Sequence, residues 1–206
     1  MTRPQPPQHV LDALHTAFAP SPDLERWARQ NFLEPASPLF NEENAHLQMA
    51  SIGFVWTNEP NARAGRTVIG QCELMPPMAM GKWQKARAVS QIEQWFDGMM
   101  PHFLITISAQ AAEFMDDASF MALIYHELLH AGQARDEFGM PKFRRDGMPV
   151  WAIRGHDVQE FVSVVRLFGA DACGAAEFVE AANETPQVSR AQIQISCGNC
   201  LTKMRP

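Results

Sequence analysis

The feature that most constrains this chain is the stretch Met121–His130, which reads M-A-L-I-Y-H-E-L-L-H. On an α-helix, residues four apart lie on one face, so His126 and His130 would direct two imidazoles to a common point. Glu127 would lie beside the first imidazole, where it could reach a water molecule without having to bind a metal itself. This H-E-x-x-H arrangement is typical of a zinc site with a glutamate general base.

The residues around the motif argue against a chance match. A carboxylate buried between two imidazoles is costly unless it is paired or faces a metal. The helix would be apolar around most of its circumference and therefore buried. Its apolar residues are Phe120, Met121, Leu123, Ile124, Leu128 and Leu129. A metal site therefore explains the pattern better than coincidence does.

Length and composition predict one soluble domain. The chain has 206 residues, and 46% of them are apolar, which is enough for a sizeable core. The formal charge is −6, and the basic residues cluster only at positions 139–145. This argues against general nucleic-acid binding and against a polybasic membrane anchor. The first residues lack the apolar run of a signal peptide, and no later run could span a bilayer, so we expect a cytoplasmic protein.

Residue periodicity and turn residues predict alternating helices and strands. We expect Ser21 to cap a helix that has Pro22 at its first position. The predicted strands are 49–56 and 67–74, paired as a hairpin, and 103–108, and we expect the helix 82–96 to pack on their sheet. The remaining predicted elements are a cap at 116–119 for the H-E-x-x-H helix, a long loop at 137–155, a helix at 156–168, a helix at 175–182 and a short strand at 191–195.

We expect three regions along the chain. Residues 1–20 begin with a proline-rich segment and are predicted to form a flexible lead-in, although positions 9–18 could form a short helix. Residues 21–196 are predicted to form the main domain. Residues 197–206 form a C-terminal tail that starts with Cys-Gly-Asn-Cys.

The pattern of elements and motifs resembles that of the zincin metallopeptidases, in particular the phage metallopeptidase family, which is related to the SprT-like proteases. The H-E-x-x-H motif is the specific part of this resemblance, and the remaining segments are weak singly. The resemblance covers roughly residues 25–170. It is carried by Ser37-Pro38-Leu39-Phe40-Asn41, Gly70, Phe103–Ile107, His126–His130 and Gly155-His156-Asp157 through Glu160-Phe161.

The resemblance implies an α+β fold, in which a small twisted mixed sheet packs on the active-site helix together with further helices. It implies one catalytic Zn²⁺ and a peptide or protein substrate, in the cytoplasm of a bacterial host if the gene is of phage origin. Peptide bonds would be hydrolysed by metal-activated water, with Glu127 as general base. It also implies an edge strand that holds the peptide, and we expect Phe103–Ser108 to be that strand.

Two residues compete to be the third metal ligand. His156 and Glu160 lie one helical turn apart, and zincins use either residue type. Glu160 has another possible role, because Asp157 and Glu160 have the spacing of a helix-capping pair. His156 follows Gly155 in a loop that could swing the ring towards the metal, and its position resembles that of the SprT-like ligand. We therefore assign the third ligand to His156 and keep Glu160 as the alternative.

A second metal site is not expected. SprT-like proteases often carry a zinc ribbon of two C-x-x-C halves, whereas this chain has only Cys197 and Cys200, and a closed zinc site normally needs four ligands. Cys72 and Cys173 have the sequence surroundings of small buried residues.

A different class of function is also open, in which the metal site is structural. His126, His130, His156 and Glu160 would then hold zinc in a non-catalytic protein that acts by docking a partner. The oxyanion stabiliser also stays open, with His102 and Arg154 as candidates. The oligomeric state cannot be read from the sequence.

Overall fold

The chain folds around a four-stranded mixed sheet that separates two layers of helices. The structure is a computed structural model that describes residues 2–63, 65–158, 165–166, 169–171 and 174–188. Its helices are α1 (Gln8–Leu11), α2 (Pro22–Ala28), α3 (Lys82–Trp95), α4 (Ala109–Glu113), α5 (Asp117–His130) and α6 (Ala176–Asn183). Its strands are β1 (Phe18–Pro20), β2 (Ile52–Thr57), β3 (Asn61–Arg63), β4 (Arg66–Val68), β5 (Gly70–Leu74), β6 (Phe103–Ser108), β7 (Ala131–Gln133) and β8 (Trp151–Ile153). A π-helical turn, Arg29–Leu33, follows α2, and a 3₁₀ helix spans Glu42–Met49.

The main sheet has the strand order β1-β2-β6-β5. β2 and β6 are parallel, while β1 and β5 run antiparallel to their neighbours. β3 pairs with β4 and β7 pairs with β8 in two separate hairpins. The α+β fold class expected from the sequence is confirmed.

Alternate residues of the central strands fill two apolar clusters. Phe54 and Ile105 belong to the larger cluster, which lies between the sheet and the layer formed by α2 and α5. Val55 and Leu104 point to the other face, where they pack with Ile92 of α3. Because both faces are covered, all six residues of β2 are buried.

Two predictions about the sheet are wrong. The segments 49–56 and 67–74 do not form a hairpin, because β6 lies between β2 and β5. For the same reason Phe103–Ser108 is not an edge strand, since β6 pairs with β2 on one side and β5 on the other. The apolar residues of β2 and β6 suit central strands, whereas Gln71 and Glu73 give β5 the polar character of an edge.

The N-terminal residues pack on the domain, unlike the flexible lead-in that their prolines suggest. β1 pairs with β2, and α1 places Val10 in the core. The Arg3 side chain is 7% exposed and contacts α4 and α5. An arginine buried in this way needs partners for its charge and its N–H groups, and both helices supply them.

Several local predictions are confirmed. Ser21 caps α2, with Pro22 at the first helical position, and its hydroxyl accepts from the Leu24 N–H at 3.3 Å. The predicted helix 82–96 is α3, and it packs on the sheet.

The prediction of a loop at 137–155 needs correction. This segment continues the β7–β8 hairpin, and bridges join Arg135 to Pro141 and Phe143 to Pro149. No helix among the described residues is long and apolar enough to cross a membrane.

Candidate metal centre

Helix α5 carries the H-E-x-x-H motif in its last turn and a half. Asp116 caps its start, since the carboxylate accepts hydrogen bonds from the Ser119 N–H at 2.8 Å and from the Ser119 hydroxyl at 2.9 Å. Further along, Phe120, Leu123 and Leu128 are almost completely buried against the sheet. A capped start and a buried apolar face fix the rotation of the helix, and therefore the direction in which the motif points.

Three imidazoles meet at the end of α5. The His126 Nε2 atom lies 3.2 Å from the His130 Nε2 atom and 3.5 Å from the His156 Nε2 atom. One ligand atom from each residue lies within 4.8 Å of the others. A tetrahedral ion with metal–nitrogen distances of about 2.0–2.1 Å separates neighbouring ligand atoms by about 3.3–3.4 Å. The two measured Nε2 separations fit such an ion.

The hydrogen bond of His130 orients its ring towards the centre. The Nδ1–H group donates to the Arg154 main-chain oxygen at 2.7 Å. A carbonyl can only accept, so the proton of the neutral ring lies on Nδ1 and the Nε2 lone pair points to the other two imidazoles. Metal-binding histidines usually have their second nitrogen fixed in this way.

Burial favours the neutral form of two of these rings. Burial, followed by charge repulsion from His130 and His156, lowers the pKa of His126 to about 4. Burial is also the main cause that lowers the pKa of His130. A metal ligand must be an unprotonated imidazole, and the lowered pKa values favour this form in both rings.

The β7–β8 hairpin brings His156 to the motif. β7 begins directly after His130, and β8 returns the chain so that Ile153 pairs with Ala131. The Arg154 N–H group then donates to the His130 oxygen at 2.9 Å, two residues before His156. The hairpin therefore holds His130 and His156 side by side, although they are 26 positions apart in the sequence.

Glu127 follows His126 on α5 and lies next to strand β5. Its side chain is fully buried. The nearest strand residue is Gly70, where an added Cβ atom would lie 2.7 Å from Glu127 Oε1. The absence of a side chain at Gly70 therefore leaves the space that the carboxylate occupies.

The structure also places the two candidate oxyanion stabilisers. The guanidinium of Arg154 pairs with Glu43 at 3.0 Å and with Asp157 at 2.7 Å. The His102 Nδ1 atom accepts from the Ser51 N–H at 2.9 Å. Both groups are engaged with other parts of the chain, and neither gains support as an oxyanion stabiliser.

Some predictions concern residues outside the described part of the chain. These are Glu160, the capping pair that it would form with Asp157, the strand 191–195 and the cysteines 173, 197 and 200. Of the four cysteines, Cys72 is described, and it lies buried in the main core. Within the described residues, one cluster of potential metal ligands is found, and it consists of His126, His130 and His156.

Sequence reasoning missed the contribution of the 3₁₀ helix to this region. His46 has both ring nitrogens 2.9 Å from main-chain oxygens, one belonging to Glu43 and the other to Ala131. The Glu43 side chain pairs with Arg154. Nothing in the segment 42–49 resembles a site motif, and its link to the histidine cluster arises from contacts between residues more than 80 positions apart in the chain.

The comparison with known proteins agrees with this geometry. No curated protein and no solved structure matches the chain significantly. A family model described as "Putative phage metallopeptidase" matches residues 25–183 and so includes the strands of the main sheet from β2 onward, helix α5 and the three histidines. The chain belongs to this phage metallopeptidase family.

Proposed function

We propose that the protein is a zinc-dependent metallopeptidase. The observation that carries the proposal is the cluster of three imidazole nitrogens at the end of α5. The Glu127 carboxylate is buried on the same helix, against the edge strand β5. Three neutral protein ligands leave a fourth position for water or substrate, which is typical of catalytic rather than structural zinc sites.

His126, His130 and His156 are proposed to hold the ion. Zinc, when bound, lowers the pKa of a water molecule and polarises the scissile carbonyl. The protein holds the His130 ring in one tautomer through the Arg154 carbonyl, so this ligand needs no rearrangement before binding. Burial keeps His126 unprotonated, so metal does not have to displace a proton from it at neutral pH.

Glu127 is proposed as the general base. It follows the first ligand on α5 and is buried next to Gly70, so its position is fixed by the helix and the strand together. It would accept the proton of the attacking water and pass it to the leaving amine. Both transfers require the carboxylate to stay close to the reacting groups, and the close contact with β5 restricts it in this way.

The substrate is proposed to add to β5, the edge strand next to Glu127. β5 pairs with β6 on one side, and no other described strand pairs with it. At its end, the Met75 N–H group donates to the His102 oxygen at 2.9 Å. Since bonding alternates along an antiparallel ladder, the main-chain groups of Gly70 and Leu74 point away from β6. A peptide bound there would run past Glu127 with its main chain paired to the strand.

The first test separates metal binding from catalysis. Purified wild type is expected to contain about one zinc ion per chain, and His126→Ala is expected to lose it. Glu127→Gln removes the base but no ligand, so it should keep zinc and fold while losing hydrolysis. Zinc is measured by elemental analysis, and hydrolysis is measured by mass spectrometry of new peptide termini in a denatured bacterial proteome.

Three outcomes would contradict the proposal. Wild type without a transition metal would show that the three histidines are not a metal site. Unchanged cleavage by Glu127→Gln would exclude Glu127 as the base. A metal-loaded wild type that produces no new termini, and whose metal exchanges no water, would favour the alternative in which Glu160 closes a structural site and the protein docks a partner.

The third ligand needs its own comparison. His156→Ala is expected to weaken zinc binding strongly, whereas Glu160→Ala is expected to leave it close to wild type. The assignment rests on the position of the His156 Nε2 atom, 3.5 Å from that of His126. Loss of zinc by the Glu160 variant alone would give the third position to Glu160.

A further inference from the structure

We infer that Arg154 is a positioning residue, which holds the loop that carries His156 in its metal-binding conformation. This inference rests on the proposed function, since it concerns how the zinc site is organised. Arg154 lies two positions before His156, at the point where β8 has ended and the chain has no further strand partner. Such a loop must be held by other contacts if the third ligand is to stay in place.

The main chain of Arg154 joins the loop to the second ligand. Its N–H group donates to the His130 oxygen at 2.9 Å, and its oxygen accepts from His130 Nδ1 at 2.7 Å. The two bonds attach the residue to both the backbone and the ring of His130. They do not by themselves fix the direction of the two residues that follow.

The side chain of Arg154 supplies the missing restraint. Its Nη2 atom lies 2.7 Å from Asp157 Oδ1. This ion pair joins Arg154 and Asp157, the residues on either side of Gly155 and His156. Its Nη1 atom lies 3.0 Å from Glu43 Oε2 in the 3₁₀ helix. The fork of the guanidinium therefore closes the short loop around His156 and fastens it to a separate element.

The 3₁₀ helix is itself fixed to the metal centre. The His46 ring lies between the Glu43 oxygen and the Ala131 oxygen, at 2.9 Å from each. Ala131 directly follows His130. Glu43 thus has a defined position relative to α5. Through its ion pair with Glu43, Arg154 also holds the loop in a defined position relative to α5.

The charges around Arg154 suit a place beside a cation. An unpaired guanidinium near a divalent ion would oppose its binding. Here two carboxylates flank one guanidinium, so the three groups have a formal charge of −1. The arrangement can therefore order the loop without adding positive charge to the site.

The test is the zinc affinity of Arg154 variants, measured by competition with a chromophoric chelator. Arg154→Ala is expected to weaken zinc binding about 10- to 100-fold, as is common when a residue that orients a ligand is removed. The zinc affinity of Arg154→Lys should lie between those of Arg154→Ala and wild type, because an ammonium does not reproduce the forked geometry of the guanidinium. Glu43→Gln removes one arm without touching the loop and should weaken binding by less than Arg154→Ala.

The matched control is Arg29→Ala. Arg29 also joins a carboxylate and a main-chain oxygen, with Glu25 at 2.9 Å and the Ala50 oxygen at 2.7 Å. Its side chain is 29% exposed, compared with 36% for Arg154. A purely structural effect of deleting a half-buried arginine would appear in both variants, whereas loss of zinc affinity should appear only in Arg154→Ala.

Amide hydrogen exchange of the metal-free protein gives a second readout. Arg154→Ala should speed the exchange of residues 155–158 while α5 keeps its protection. Zinc affinity equal to wild type in Arg154→Ala, or an equal loss in Arg29→Ala, would overturn the inference. If His156→Ala also binds zinc like wild type, the proposed third ligand fails as well, so the two failures are distinguishable.

Discussion

At the scale of single residues, Gly70 is the position where the fold and the proposed chemistry meet. An added Cβ atom would lie 2.7 Å from Glu127 Oε1 and 3.0 Å from a methyl carbon of Leu123. The first distance is too short for a Cβ contact and the second is unusually tight, so Gly70→Ala should displace the carboxylate. We expect the kcat of Gly70→Ala to fall about 10- to 100-fold, because a displacement of about 1 Å can cost that much. Zinc content should not change.

Gly81→Ala serves as the control for this substitution. Its added Cβ atom would meet only the flexible side chain of Gln84, at 3.2 Å. The comparison needs steady-state kinetics and elemental analysis of both variants. A Gly70→Ala enzyme with the kcat of wild type would show that the position of the Glu127 carboxylate does not limit turnover.

The low pKa of His126 predicts how the stability of the metal-free protein depends on pH. An unfolded histidine titrates near 6.5, whereas burial lowers the pKa of His126 in the folded protein to about 4. The unfolded chain therefore binds a proton more readily. The unfolding free energy is therefore highest above about pH 6.5 and decreases as the pH falls towards 4, by about 3 kcal/mol at most.

This pH dependence can be measured by urea unfolding in EDTA at pH 7, 6, 5 and 4. His126→Asn should show a shallower loss of unfolding free energy, because the buried imidazole is gone. If the unfolding free energies of wild type and His126→Asn decrease equally as the pH falls, His126 does not contribute to the acid sensitivity of the fold.

The sequence was informative about individual residues where the spacing is local. His126 and His130 are four positions apart on one helix, so their proximity follows from helical geometry alone. The assignment of His156 rests on its loop position, on the competing capping role of Glu160 and on a resemblance, and its approach to the other two histidines depends on the β7–β8 hairpin. The ion pair between Glu43 and Arg154 joins residues 111 positions apart, and no periodicity could have shown it.

At the scale of elements, the sheet order decides which strand is available to a substrate. Thr106 lies in β6, opposite Gln71 of β5 and Val55 of β2. Thr106→Pro should therefore disrupt the centre of the sheet. It leaves the Gln71 oxygen without its donor, at a cost of about 1–3 kcal/mol, and the ring adds steric strain.

We expect Thr106→Pro to lower the melting temperature strongly and to lose zinc together with the fold. Thr106→Val keeps the N–H group and should remain folded. Far-UV circular dichroism and thermal unfolding distinguish the two. A Thr106→Pro protein with the wild-type melting temperature would contradict the interior position of β6.

The strand segments could be predicted from residue type, but their order could not. β2 and β6 have similar apolar patterns, and either could have paired with β5. Which strands become central depends on how α3 and α5 cover the two faces of the sheet, which is a property of tertiary packing. The loop between β2 and β5 favoured a local hairpin, and the chain instead uses part of it for the separate β3–β4 pair.

At the scale of the whole molecule, the residues before the family match are part of the fold. The match begins at residue 25, yet Arg3 is buried between α4 and α5. Its guanidinium donates to the main-chain oxygens of Ala112, at 3.2 Å, and Met115, and its Nε atom lies 2.9 Å from the Asp117 carboxylate. It also lies 4.9 Å from the centre of the Phe120 ring. Arg3 therefore joins the end of α4 to the first turn of α5.

Arg3→Ala should destabilise the protein by about 2–4 kcal/mol, because it leaves two main-chain oxygens without a donor and removes a charge paired with Asp117. The unfolding free energy is measured with urea in EDTA, so that metal binding does not mask the loss. Arg26→Ala is the control, since Arg26 pairs with Asp23 on the surface and should change the unfolding free energy by less than about 1 kcal/mol. The affinity of the folded protein for zinc should stay at the wild-type value in both variants, because Arg3 contacts the start of α5 and the histidines lie at its end. Equal stability of Arg3→Ala and wild type would show that the Arg3 side chain does not stabilise the contact between α4 and α5. A loss of zinc affinity in the folded variant would show that α5 transmits the change to its far end.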